Sequence, residues 1–196
     1  VYTHFNSKFQ RNVATLHPGE YAVSTNGEVI GTVLGSCVAV ALYDRRRKIA
    51  GMNHFMLPGQ VRPESFIQSE SGKYGMFAME LLINEMIKNG SARTDMTAKV
   101  FGGGHVLRGK DAEIPLSSVA QSNIDFAFSY LETESIRVET SDVGGTTARK
   151  IFLFPEDFRV LLKRITGTLV TSVEQEEKEY FKAIRQKRKK SDVTLF

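Results

Sequence analysis

The chain has 196 residues, 41% hydrophobic and 10% aromatic, which suffices for one sizeable core and is ordinary for a globular protein. A single cysteine excludes a disulfide-stapled scaffold. No apolar run approaches the roughly 18 residues of a membrane helix, and residues 1–9 carry no signal-like apolar stretch, so a soluble, cytoplasmic protein that is not membrane-inserted is expected.

The net charge of +4 does not make the chain a nucleic-acid binder. Its strongest basic cluster, residues 182–190, lies at the end of the chain behind an acidic block at Glu174, Glu176, Glu177 and Glu179. Alternating charge blocks of this kind form a solvated helix or a disordered tail, and no nucleic-acid partner is expected.

In chain order, residues 20–24 and 29–34 read as short strands around the Asn26-Gly27 turn. Residues 37–43 and 49–57 read as two more, paired across Asp44-Arg45-Arg46-Arg47. Residues 59–72 are polar and irregular, a loop. Residues 74–88 set Phe77, Leu81 and Met86 at helical spacing and stop at Asn89-Gly90, a C-cap pair. Residues 98–101 form a strand running into Gly102-Gly103-Gly104. Residues 122–132 make a second amphipathic helix, with Ser122 as N-cap for Ile124, Phe128 and Leu131.

Residues 135–140 are a strand, Asp142-Val143-Gly144-Gly145 is a turn, and residues 148–154 and 158–165 form a last hairpin around Pro155-Glu156-Asp157. The sum is an α+β fold, an α/β layered sandwich of mixed, largely antiparallel β-sheets packed with two main helices. Residues 1–15 are expected to be an N-terminal extension, residues 16–165 one domain, and residues 166–196 a charged tail, helical or disordered. A monomer is the default.

Three motifs lead nowhere. Residues 104–110 fit G-x-x-x-x-G-K, but Asp111 stands where a phosphate loop needs Ser or Thr for magnesium, and Ile114-Pro115 interrupts the helix that should follow. His4, His17, His54 and His105 are scattered, with no H-E-x-x-H pattern, so no metal site is expected. Gly35-Ser36-Cys37 lacks the second glycine of a serine hydrolase elbow.

Cys37 and His54 remain. A free cysteine is either a small buried hydrophobe or a nucleophile. If residues 38–42 pair with residues 49–56, Cys37 and His54 meet at one sheet end, close in space though not in sequence. Gly35 permits a sharp turn that bares backbone N–H groups near Cys37, where an oxyanion would be held.

Leu34-Gly35-Ser36-Cys37-Val38-Ala39-Val40 followed by Asn53-His54-Phe55-Met56-Leu57-Pro58 resembles the signature of the CheD family, the chemoreceptor glutamine deamidases. The likeness extends through Gly19-Glu20-Tyr21-Ala22-Val23, Lys73-Tyr74, Lys99-Val100-Phe101-Gly102-Gly103, Gly144-Gly145 and Arg149-Lys150, spanning residues 16–165 in the expected order.

The resemblance implies a layered α/β sandwich related in its catalytic arrangement to the cytotoxic necrotizing factor toxins. It implies a protein-glutamine glutaminase that converts particular glutamines of methyl-accepting chemotaxis receptors to glutamate, some members also cleaving receptor methyl esters. Cys37 takes the nucleophile position and His54 the base position, with Gly35, Ser36 and Asn53 as oxyanion or supporting residues and no metal or organic cofactor.

The family commonly places Thr or Ser six positions before the cysteine. That position is Gly31 here, and Thr32 stands one place later, on the other face of a regular strand. Thr32 serves as third residue if the strand bulges; otherwise Ser36 or Asn53 orients His54. The alternative to an enzyme is a non-catalytic chemotaxis interaction module that binds receptors or a CheC-type phosphatase, although residues 102–111 depart from the family there.

Overall fold

In a computed structural model that describes residues 1–59, 69–106 and 116–190, the strands form two five-stranded sheets. The first sheet holds β1 (Tyr2–Asn6), β2 (Arg11–Leu16), β4 (Val29–Leu34), β9 (Ala148–Phe154) and β10 (Arg159–Ile165) in the order β1-β2-β4-β9-β10. The second holds β3 (Tyr21–Ser24), β6 (Ile49–Asn53), β5 (Val38–Asp44), β7 (Met96–Gly102) and β8 (Arg137–Val143) in the order β3-β6-β5-β7-β8. Neighbouring strands are antiparallel except β2–β4 and β7–β8.

The second sheet is the middle layer. One of its faces packs on the first sheet through Ala39, Ala41, Met52 and Phe101 against Ile30, Leu34, Ile151 and Leu153. Its other face packs on α1 (Glu70–Lys88) and α2 (Leu116–Thr133) through Val38, Val40 and Leu42 against Met79, Leu82, Phe126 and Leu131. Strand β5 is therefore apolar at nearly every position: all seven of its residues are buried, Asp44 included. A strand covered on both faces has no use for alternation.

Local chemistry sets the helix ends. Ser69 caps α1 by accepting from Gly72 N at 3.0 Å, so the helix starts four residues earlier than its apolar spacing predicted. It stops at Asn89, followed by Gly90 at φ +98°. Ser122 lies inside α2 rather than capping it. Val119 and Ala120 are both buried, so the apolar stripe runs on past the serine toward the N-terminus.

One further reading is corrected. Strands β3 and β4 are not a hairpin, because residues 25–28 carry the chain from one sheet to the other. Five of the six residues of β4 are buried, so it sits inside its sheet between β2 and β9, while the half-exposed β3 takes an edge beside β6. Residues 1–15 supply β1 and most of β2, with Val13 and Ala14 in the core. The charged segment after residue 165 forms a third helix, α3 (Thr168–Lys190), which lays Phe181 and Ile184 on the core between the sheets. Among the described residues, no helix is long and apolar enough to cross a membrane.

Candidate active site

The hairpin β5–β6 pairs Asp44 with Ile49 and Ala41 with Met52, and a single bridge, Val38 to Phe55, extends it past the strand ends. This brings the two residues just outside the strands, Cys37 and His54, to the same end. The His54 backbone is held by the preceding turn, its N–H donating to Glu20 O at 2.9 Å and its carbonyl accepting from Gly19 N at 2.7 Å. Both side chains are buried, Cys37 fully and His54 to within 2%.

Thr32 fixes the proton on the imidazole. Its hydroxyl donates its one hydrogen to Leu16 O at 2.8 Å, a carbonyl that can only accept. The 2.8 Å contact between Thr32 Oγ1 and His54 Nδ1 must then run from ring to hydroxyl. Nδ1 carries the proton, and Nε2 keeps its lone pair, buried without a hydrogen-bond partner. Strand β4 reaches His54 without a bulge: Thr32 stands in regular register with Leu16 and Ile151, while Gly31 faces the other way, toward Phe152 and Val13. Asn53 takes no part here. Its amide accepts from Val40 N and donates to Ala78 O, on the α1 side of the sheet.

The nucleophile loop has its peptides sorted by direction. Gly35 O accepts from Gly104 N at 2.7 Å, Cys37 O from Gly103 N at 2.7 Å, and Ser36 O from Asn123 Nδ2 at 2.9 Å. With the carbonyls of Gly35 and Ser36 tied back, the N–H groups of Ser36 and Cys37 in the same two peptides turn to the other side, where they converge with that of Gly35 as an anion nest. Gly102, at φ +111°, makes this possible: a Cβ there would lie 2.2 Å from Cys37 O.

A carboxylate fills the nest. Glu177 Oε1 accepts from Gly35 N at 2.8 Å and Cys37 N at 3.1 Å, and Oε2 accepts from Ser36 N at 2.8 Å and Ser36 Oγ at 2.7 Å. Cys37 Sγ, a His54 ring nitrogen and a Glu177 oxygen all lie within 4.8 Å of one another. Such a donor set suits zinc-like ions in principle, but here the carboxylate is already saturated by four N–H and O–H donors.

Burial, and next the charge and hydrogen bond of Glu177, push the Cys37 thiol well above its ordinary range. Burial holds His54 down to about 3. The pair is therefore neutral as it stands, a thiol beside an unprotonated imidazole.

Two residues of the array were not foreseen, and both interrupt an apolar stripe. Asn123 sits between Val119, Ala120 and Ile124, Ala127 on the buried face of α2, and besides holding Ser36 it accepts from Leu57 N at 2.8 Å. Glu177 stands between Val173 and Phe181 on the buried face of α3. A polar residue in the middle of such a stripe was the available signal.

A hydroxyl, an imidazole with one free nitrogen, a thiol and three convergent N–H groups have the layout of a thiol-dependent acyl-transfer site. Comparison narrows this class to one family. The model of the family described as CheD chemotactic sensory transduction matches residues 56–164.

A probable chemoreceptor glutamine deamidase CheD 1 of Shewanella oneidensis is 40% identical over 98% of this chain and 92% of its own length. The probable chemoreceptor glutamine deamidase CheD of Methylobacillus flagellatus is 39% identical, over 98% and 94%, and that of Bordetella avium 46%, over 83% and 70%. The chain belongs to the CheD family. Residues 107–110 of the glycine-lysine motif, and with them much of the 102–111 segment that departs from the family, lie outside the described residues.

Proposed function

We propose that this protein is a cytoplasmic chemoreceptor glutamine deamidase, with Cys37 as nucleophile and His54 as base. One observation carries the reading: the free Nε2 of His54 and the Cys37 thiol share a dry site that opens on the N–H nest of Gly35, Ser36 and Cys37. Nε2 takes the thiol proton as Sγ attacks the side-chain carbonyl carbon of a receptor glutamine. The negative charge formed on the amide oxygen falls to the nest, which is rich in aimed donors.

His54 then gives its proton to the departing ammonia, leaving a thioester on Cys37. Water, deprotonated by the same nitrogen, hydrolyses the thioester and leaves glutamate. Thr32 acts as a positioning residue by keeping the proton on Nδ1, and Gly35 and Ser36 supply donors. Asn53 has its supporting role in the hairpin.

The test is incubation of the protein, and separately of Cys37→Ala, with a chemoreceptor cytoplasmic fragment, followed by peptide mass spectrometry of glutamine-to-glutamate conversion. Loss of about a thousandfold or more in rate is expected for the variant. Equal conversion by both would remove Cys37 from the chemistry. No conversion by either, with folded protein and several receptors, would leave the reading without support and favour a binding module for receptors or a CheC-type phosphatase.

A further inference from the structure

Glutamate is the product of the reaction proposed above, and a glutamate occupies the site. Glu177 has its carboxyl group in the nest, four hydrogen bonds deep, with an oxygen within 4.8 Å of Cys37 Sγ. The cradle is shaped around it: a Cβ on Gly35 would come within 2.8 Å of Oε2 and 3.1 Å of Cδ. Among the described residues no lysine or arginine forms an ion pair with this buried carboxylate. Its stabilisation comes from the peptide N–H groups and one hydroxyl that the reaction itself would use.

The helix that delivers it is weakly anchored. Val173, Phe181 and Ile184 are its buried apolar side chains among those described. Tyr180 hydrogen-bonds Tyr74 of α1, and Glu176 reaches His17 at 2.5 Å.

We propose that α3 is a tethered product analogue. Glu177 holds the subsite for the side-chain carboxyl group of the target, the groove is built for a glutaminyl or glutamyl side chain delivered from a helix, and α3 must lift away before a receptor segment enters. This rests on the deamidase reading. It also accounts for the protonated thiol and the complete burial of Cys37: the enzyme is resting with its own acid in the site.

The decisive variant is full-length Glu177→Gln, which turns the product analogue into a substrate. Cys37 Sγ bonds to the introduced amide carbon, the C–N bond breaks, and ammonia leaves with the proton held by His54. Solvent water then cleaves the C–S bond, so position 177 becomes glutamate again. Peptide mass spectrometry should show the mass gain of amide-to-acid conversion at position 177. The conversion should be first order in protein, unchanged by dilution, and absent when Cys37→Ala is added.

The same samples are offered a receptor fragment. Conversion of the fragment without conversion at position 177 overturns the tethered-analogue proposal and leaves the deamidase reading standing. Conversion in neither place sinks both. Conversion at position 177 that survives Cys37→Ala, or whose first-order rate constant rises with protein concentration, also overturns the proposal.

A second readout needs no substrate. Folded Glu177→Ala should react with iodoacetamide at Cys37 about tenfold faster than the parent or more, because the thiol loses both its cover and the adjacent charge. An unchanged rate speaks against α3 as the occupant that must leave.

Discussion

The carbonyl side of the 35–37 loop is bolted to the fold, and its N–H side is held by a helix that merely leans on it. On the first side stand Gly103 and Gly104, which follow a fully paired strand, and Asn123 in the middle of α2. On the second stands Glu177, on a helix anchored by a few apolar side chains at about 1.5–3 kcal/mol each. The entropy cost of ordering the helix opposes that gain. The asymmetry lets the ligand side empty while the geometry on the other side stays fixed, which is what a pre-organised site needs.

Breaking the bolted side should have the largest effect. Gly102→Ala forces a Cβ onto Cys37 O and strains a backbone at φ +111°, so a loss of about 3–5 kcal/mol in urea unfolding is expected, with activity lost as well. Chain stability should also report the dryness of the site. His54 sits at about 3 when folded against 6.5 ordinarily. Below pH 6.5 the unfolded chain takes up a proton there that the folded chain refuses.

The stability present above pH 6.5 therefore drains by about 1.4 kcal/mol per unit until about pH 3. Between pH 6 and 4, the parent should lose about 2–3 kcal/mol more than His54→Asn, which does not titrate there; parallel curves would mean the imidazole is wet.

Asn123→Ala strands Ser36 O and Leu57 N, at a cost of about 2 kcal/mol read from thermal or urea unfolding. It should slow turnover without changing KM, since the loop relaxes and the groove does not. The mildest case is Phe181→Ala on the leaning side. A buried Phe truncation usually costs about 3–5 kcal/mol, but α3 can detach by itself, so about 1–2 kcal/mol is expected, together with faster alkylation of Cys37. A full core-sized loss would mean that α3 is part of the cooperative fold.

How much of this was legible follows from how local each signal is. The hairpin that joins Cys37 to His54 was readable, because two apolar runs flank a charged four-residue turn and pairing them leaves little freedom. The β3–β4 hairpin was misread from an equally good turn signal, since nothing within residues 20–34 records that β4 needs a partner on each side. Thr32 was made to depend on a bulge because family spacing was counted along the chain, whereas the contact depends on which face of β4 looks across the layer at His54.

Glu177 was lost among three acidic neighbours that look alike in sequence. Only its place between Val173 and Phe181 separates it from glutamates that face solvent.

The sorted peptides of the nucleophile loop have one more consequence. Two successive peptide dipoles, whose negative ends at Gly35 O and Ser36 O are pinned backward, present their positive ends together beside the Gly35 N–H, which gives the loop the field of a helix N-terminus without a helix. That field stands before any ligand arrives and favours whatever gains negative charge. Deamidation takes in a neutral amide and leaves an acid, so the field runs with bond breaking and against release. A catalyst built this way is helped most in forming its product and least in letting it go.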